Sequence, residues 1–532
     1  MLRRLLASGL LALSAASCQK QTEVERANEA GILLVGNSAE PKALDPQLVT
    51  GVIESKIIGA LFEGLVADDP EDDSALPPGT AASWDHNEDM TEWVFQLRPE
   101  ARWSDGHTVT AHDFVFAYHR MLSPDLAAPY AEMLYFIDKA EAYNKAEIDD
   151  FTQVGVRATD DFTLELRLRE PVPFLPSLTR HYTWFPVPEH VVRRFGDMTE
   201  RFTDWSEHPN LVGNGPFQLK EWRFHDVIEV ERNPHYWNAA DVGLNGIRFI
   251  PIENPYTEAR AFLAGQLHTT YTLPPDLIDT MAEDYPEFLR QEPYVGTTFF
   301  RLNTTRPGFD DPKVRQAMSL SIDREALCEH ILEGYTPART FTPKMGTYEP
   351  EPVLDFDPEK ARKLLADAGF PGGKGFPRYS MLISRPAARA SAEAVQAMWR
   401  EHLGILVDIQ NMDWGSYISA QQSLEFDLAS AGWIGDYLDP TTFLNMWTEG
   451  NGNNNTGWHN DRYEELLKQA ALQADTEARH RLLAEAEAVL MEEQPILPVS
   501  WYSRNYLHRP EVKGWHPLLL DNHPWSAIRL EP

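Results

Sequence analysis

A carboxylate beside an aromatic ring on a glycine turn is well suited to holding a cationic group. That arrangement occurs in Phe426-Asp427-Leu428-Ala429-Ser430-Ala431-Gly432-Trp433-Ile434-Gly435-Asp436-Tyr437-Leu438-Asp439-Pro440. The alternation of Phe426 and Leu428 predicts a short strand that ends in small residues, followed by the Trp433 indole and by Asp436 on a Gly-Asp turn. A carboxylate so placed holds an ammonium, while main chain left open by glycine bonds an extended ligand. Taken alone, the stretch is equally a solvent-exposed Asx turn.

Reactive constellations are missing from the sequence. It contains no Gly-x-Ser-x-Gly nucleophile elbow and no His-Glu-x-x-His zinc pair. Gly372-Gly373-Lys374-Gly375 lacks the glycine spacing of a phosphate loop, and Lys374 is followed by Gly375 rather than Ser or Thr, so it reads as a loop after a helix. The 17 histidines show no paired ligand spacing, and His107 and His112 flank a turn and a helix start. No catalytic residue, metal ligand or cofactor is expected, and the chain does not read as an enzyme.

What positions Asp436 is therefore the larger question. At 532 residues the chain exceeds one ordinary core, so two or three domains are expected. Hydrophobic residues at 43% and charged residues at 24% are those of a soluble globular protein. The balance of 47 Lys+Arg against 81 Asp+Glu, a net charge of −34, argues against nucleic acid or an anionic membrane surface as partner.

The N-terminus reads as a targeting segment. Arg3 and Arg4 precede an apolar run from Leu5 to Ala16 that is too short to span a bilayer. Ala15-Ala16-Ser17 before Cys18 resembles a bacterial lipobox, with Ala15 where Leu is usual; Cys18 would be the lipidated first residue of the mature chain. Residues 19 to 30 then read as a flexible tether. The other cysteine, Cys328, falls in a predicted helix as a small buried residue, so no intramolecular disulfide is expected.

Further along, Gly31 to Gly36 predicts a buried strand, Val52 to Leu61 a helix, Asp68 to Asp73 an acidic loop and Trp93 to Leu97 a strand. A capped helix carries Phe114, Tyr118 and Met121, and Phe162, Leu164, Leu166 and Leu168 alternate as a half-buried strand. Val314, Ala317, Met318 and Ile322 mark a buried helix face, and Asp357-Pro358 opens a helix that Gly369 ends. Strands and helices without a strict βαβ rhythm indicate α/β lobes with mixed sheets.

An ordered set of blocks resembles the extracytoplasmic solute-binding proteins of peptide ABC importers, family 5, the oligopeptide- and dipeptide-binding group. The blocks are Glu40-Pro41 with Leu44-Asp45-Pro46, Phe62-Glu63-Gly64-Leu65, Trp103-Ser104-Asp105-Gly106, Asn214-Gly215-Pro216-Phe217, Arg232-Asn233-Pro234-His235-Tyr236-Trp237, the Phe309 to Arg324 run, and the Asp436 stretch. The resemblance covers nearly everything after residue 30. It implies a two-lobed periplasmic-binding-protein fold (mixed sheets, class II/cluster C type) with an extra inserted domain. Lobe I would comprise 31–62, 190–293 and 503–532, the inserted domain 63–189 and lobe II 294–502, after a signal peptide at 1–17 and the tether at 18–30. Its hinge strands would lie near 291–294 and 498–503.

By the same resemblance, an extended short peptide would lie between the lobes with its α-ammonium on Asp436, and a monomer anchored only by lipid would deliver it to an ABC permease and ATPase. Gly432, Trp433 and Ile434 would supply backbone and an aromatic wall; Val52, Tyr130, Tyr271, Trp414, Trp501 and Tyr502 would line the cleft. The basic residues that read the ligand carboxylate in some members fall here on Ser430, Gln421 and Ile331, and a histidine used for that end falls near Ala388; Arg389 or Arg385 are the candidates to replace them. An acidic contact falls on Thr50, and a cysteine of some members falls on Ile434. Receptors for cell-wall peptides or other small solutes, and non-transport sensors or chaperones, are the alternatives.

Overall fold

The computed structural model describes residues 21–384, 388–473 and 475–531, with only the backbone described at 414 and 415. Cys18 and Arg385 lie outside these residues.

Three principal sheets organise the chain. In the first, Ile32–Gly36 pairs in parallel with Gly246–Ile250, which continues antiparallel through Val227–Arg232 to Phe217–Arg223. The second is an antiparallel set of Ala81–His86, Glu92–Leu97, Thr163–Arg167 and Val156–Asp160. Period-2 burial explains it: Trp93, Phe95, Leu97, Leu164 and Leu166 are all buried, and the residues between them, Val94, Gln96 and Glu165, are more exposed. Helix Ala111–Leu122 packs there through Phe114, Tyr118 and Met121, and Thr110 and Asp113 close a capping box at its start. One continuous core joins these two sheets.

The third sheet has six strands in the order Thr336–Pro337, Ile496–Leu507, Leu289–Leu302, Leu428–Ile434, Tyr379–Ile383 and Val407–Asn411, with parallel and antiparallel pairs. Because strand side chains alternate between faces, Phe299 enters a core with Trp447 and Phe341, while Phe300 enters another with Trp399 and Met318. The long strands Leu289–Leu302 and Ile496–Leu507 run out of this sheet toward the first. Leu507 shares a cluster with Phe262, and Thr269 bridges both Val35 and His508. The result is a two-lobed α/β fold with mixed sheets. Among the described residues no helix is long and apolar enough to cross a membrane.

Helix Val52–Leu61 forms as its apolar spacing predicts, Asp357 caps Pro358–Asp367, and Cys328 is buried in helix Arg324–His330. Two local expectations need correction. Residues 23–30 are a helix rather than tether: Thr22 and Glu25 form a capping box, Gly31 ends the helix in the left-handed region, and Val24 and Ala27 pack on Leu34. Their buried face is only two residues wide, too little for hydrophobic periodicity to show. The strand around Leu428 also does not stop at the small residues; it continues to Ile434 because Leu289–Leu302 pairs with all of it.

Candidate ligand-binding cleft

On one side, Leu428–Ile434 is fully paired, with Gly432 opposite Thr298, Trp433 opposite Thr297 and Ile434 opposite Gly296. On its other side, strand Tyr379–Ile383 meets only Leu428 and Ala429. From Ser430 to Ile434 that edge pairs with no strand among the described residues; Tyr417 Oη donates to the Ser430 carbonyl at 2.5 Å. An unpaired edge of this length accepts an extended chain by main-chain hydrogen bonding.

Asp436 stands just past that edge. Gly435 N–H donates to the Val295 carbonyl at 2.8 Å and Asp436 N–H to Thr442 Oγ1 at 3.1 Å, which pins the turn. The Asp436 carboxylate itself accepts no hydrogen bond and meets no cation among the described residues. Burial, with a smaller push from the Glu132 charge, raises its pKa to about 7. It is an acid short of a positive partner.

A cavity of about 330 Å³ opens beside it. Trp433, Ile434 and Asp436 come to it from the six-stranded sheet, Val52 from the start of helix Val52–Leu61, and Tyr130 from the turn before residues 131–134. Tyr130 stands 6.1 Å from His181 and 6.5 Å from Tyr182, ring to ring, forming an aromatic wall. Burial holds His181 neutral, its pKa pushed down to about 3. The Trp433 Nε1–H is buried and takes no partner among the described residues.

Gly432, Tyr271, Trp501 and Tyr502 are not on the lining of this cavity. Tyr502 lies across two glycines: a Cβ on Gly432 would fall 2.4 Å from its hydroxyl, and one on Gly296 would fall 2.5 Å from its ring. Gly432 is thus required for ring clearance as well as for exposed backbone. Trp501 is opposite Thr297, in register with Trp433, and its Nε1–H is also buried without a partner among the described residues. Tyr271 lies behind the cavity, under the Arg504 guanidinium at 5.1 Å. Trp414 begins helix Trp414–Gln422. Arg389 is not brought to the cavity; it sits on an exposed helix face paired with Glu393 at 3.1 Å.

Several charged residues of the cavity were not singled out from sequence. Asp521 accepts a hydrogen bond from Lys56 Nζ at 2.7 Å, forms an ion pair with Arg504 Nε at 3.0 Å and meets His523 Nε2 at 3.1 Å. Burial opposes its ionisation, but Arg504 and Lys56 outweigh that and hold the carboxyl far below the usual range. Asp68, expected as part of a plain loop, faces the cavity 3.5 Å from the buried Arg180; burial raises its pKa to about 6. Only the acidic run itself was visible in the sequence.

The cleft combines an open strand edge with an acid that has no positive partner among the described residues, the features of a binding site. Residues 75–455 match the family model for the bacterial extracellular solute-binding proteins, family 5 middle region. The chain belongs to that family. It is 34% identical to the periplasmic oligopeptide-binding protein OppA of Salmonella typhimurium over 533 residues, covering 96% of this chain and 95% of that one. It is 34% identical to the periplasmic murein peptide-binding protein MppA of Escherichia coli over 488 residues, covering 90% and 88%. The crystal structure of Haemophilus influenzae OppA in complex with the peptide RPPGFSPFR superposes with a TM-score of 0.80 at 33% identity, covering 94% of this chain and 99% of that one.

Proposed function

We propose that this protein is the peptide receptor of an ABC importer. It takes a short peptide between its lobes with the free amino terminus on Asp436, and passes it to a permease. The single observation that carries this reading is the unpaired Asp436 carboxylate at the end of the open 430–434 edge. An ammonium there satisfies the acid, and the ligand backbone satisfies the edge without reading sequence. The same reading assigns lobe I to 31–62, 190–293 and 503–532, the inserted domain to 63–189 and lobe II to 294–502. It puts Cys18 at a lipid anchor in the cell envelope, holding a monomer beside its permease.

Native mass spectrometry of the protein as purified tests the ligand class: masses of short peptides are expected to leave with it. Protein that carries none and gives no calorimetric signal with peptide libraries would rule the reading out. Labelling with a fatty acid, expected for the native chain and lost in Cys18→Ser, tests the anchor.

A second reading keeps the fold and changes the far end of the ligand. Ser430 and Gln421 place no cation where a peptide carboxylate would be read, and the Ser430 carbonyl is already bonded by Tyr417. A cell-wall peptide, whose far end differs from that of a plain peptide, is the ligand of this second reading. Direct competition between a murein tripeptide and plain tripeptides separates the two.

A further inference from the structure

Away from the cleft, three metal-ligating side chains meet on the surface. Asp105 and His107 flank Gly106 on a tight turn in which Trp103 N–H donates to the His107 carbonyl and Gly106 N–H to the Trp103 carbonyl, both at 2.8 Å. Gly106 adopts φ +90°, which favours glycine. The turn is fixed to the body of the protein: the Trp103 side chain is fully buried, and Ser104 N–H donates to the Gly213 carbonyl at 2.8 Å. His190, 85 residues beyond Asp105, arrives from the helical turn Glu189–Val192.

The convergence is close. His190 Nε2 is 2.7 Å from Asp105 Oδ2, His107 Nδ1 is 3.0 Å from Asp105 Oδ1, and the two imidazole centroids are 4.4 Å apart. Ligand atoms of all three residues lie within 4.8 Å of one another. A third imidazole, His235, backs the turn: a Cβ on Gly106 would stand 3.8 Å from its Cε1.

We propose that Asp105, His107 and His190 form a binding site for a first-row divalent transition metal such as Zn²⁺, separate from the peptide cleft. Two imidazole nitrogens and one carboxylate oxygen are a ligand set that Zn²⁺ accepts, with the fourth position open to solvent. Metal–ligand bonds of 2.0–2.2 Å set tetrahedral ligand atoms about 3.3 Å apart. The preformed contacts at 2.7 and 3.0 Å need to spread by only a few tenths of an ångström. His107 Nε2 and His190 Nδ1 take no partner among the described residues, so each ring can carry its proton there and turn an inward lone pair to the metal. A bound metal would tie the 103–107 turn to the 189–192 helical turn. None of these residues lines the cleft.

The test is titration of the untagged, chelator-stripped full chain with Zn²⁺, by calorimetry and by competition with a chromophoric chelator. One saturable equivalent is expected, together with a rise in the midpoint of thermal unfolding. His107→Ala, on a ring that is 60% exposed, should weaken Zn²⁺ binding at least tenfold, abolish the thermal shift and leave peptide affinity unchanged. Asp105→Asn should weaken it as well. Zn²⁺ affinity unchanged in His107→Ala, or no saturable binding to the native chain at micromolar protein, overturns the proposal and leaves Asp105 a plain hydrogen-bond bridge between two histidines.

Discussion

The Asp439 carboxylate receives both terminal nitrogens of the Arg479 guanidinium, at 2.6 and 2.8 Å. Thr441 adds its N–H at 3.0 Å and its hydroxyl at 2.6 Å. Asp436, on the same turn, receives nothing on its carboxylate among the described residues. Arg479 also lies 5.0 Å over the Phe174 ring, which stacks on Tyr437 at 5.4 Å, so the satisfied acid braces the turn against the neighbouring layer. One acid holds the loop; the other has no charged partner among the described residues.

Asp436→Asn should weaken binding of peptides with a free amino terminus at least tenfold, since a charge-assisted hydrogen bond contributes about 1.5–3 kcal/mol. Unliganded stability should stay level or rise slightly, because a half-buried carboxylate with no charged partner among the described residues is removed. Calorimetry and thermal melts check the two arms; unaltered affinity would end the anchoring role of Asp436.

The pH dependence has opposite signs for folding and for binding. The folded protein holds the Asp436 proton up to about pH 7, whereas an ordinary aspartate releases it near 3.8. Across that window the unfolded chain binds fewer protons, so this group makes unliganded stability fall as pH rises. An ammonium needs the ionised acid, so peptide affinity should rise from about pH 5 to 7, approaching tenfold per unit, and level off above that. Titrations at several pH values should show this slope for the native chain and none for Asp436→Asn.

Asp439→Ala should cost about 3–5 kcal/mol in denaturant unfolding, because Arg479 would be left buried without its counter-charge. Pairing it with Arg479→Met should recover part of that loss. A double variant no more stable than Asp439→Ala would mean that Arg479 acts by packing on Phe174 instead.

Gly432→Ala should cost about 1–3 kcal/mol or an equivalent loss of peptide affinity, because the new methyl meets the Tyr502 hydroxyl. With Tyr502→Phe the nearest ring atom would be Cζ at 3.4 Å, so the double variant should regain part of what was lost. Equal defects in the single and double variants would place the fault in the backbone of Gly432 itself.

Residues whose partners lie within the same element were readable before folding. Phe114, Tyr118 and Met121 mark a helix face by spacing, and Leu164 and Leu166 mark a strand face by alternation; all five are buried as that spacing requires. Asp436 was readable as a turn carboxylate beside Trp433, and the ordered family blocks gave it a ligand role to test. The helix at 23–30 escaped notice because its buried face is so narrow.

By itself, then, the sequence determined which stretches pair or coil, that no ready-made catalytic motif is present, and that Asp436 follows an aromatic on a turn. Only the tertiary structure decided that the Asp436 carboxylate lacks a charged partner among the described residues while Asp439 has one, since Arg479 reaches that turn from another helix. It alone brought Lys56, Arg504 and His523 onto Asp521, Tyr502 over Gly432, and His190 beside Asp105 and His107. Local periodicity records which side of an element leaves water. It carries no record of which distant charge arrives on that side, because that depends on the path of the whole chain.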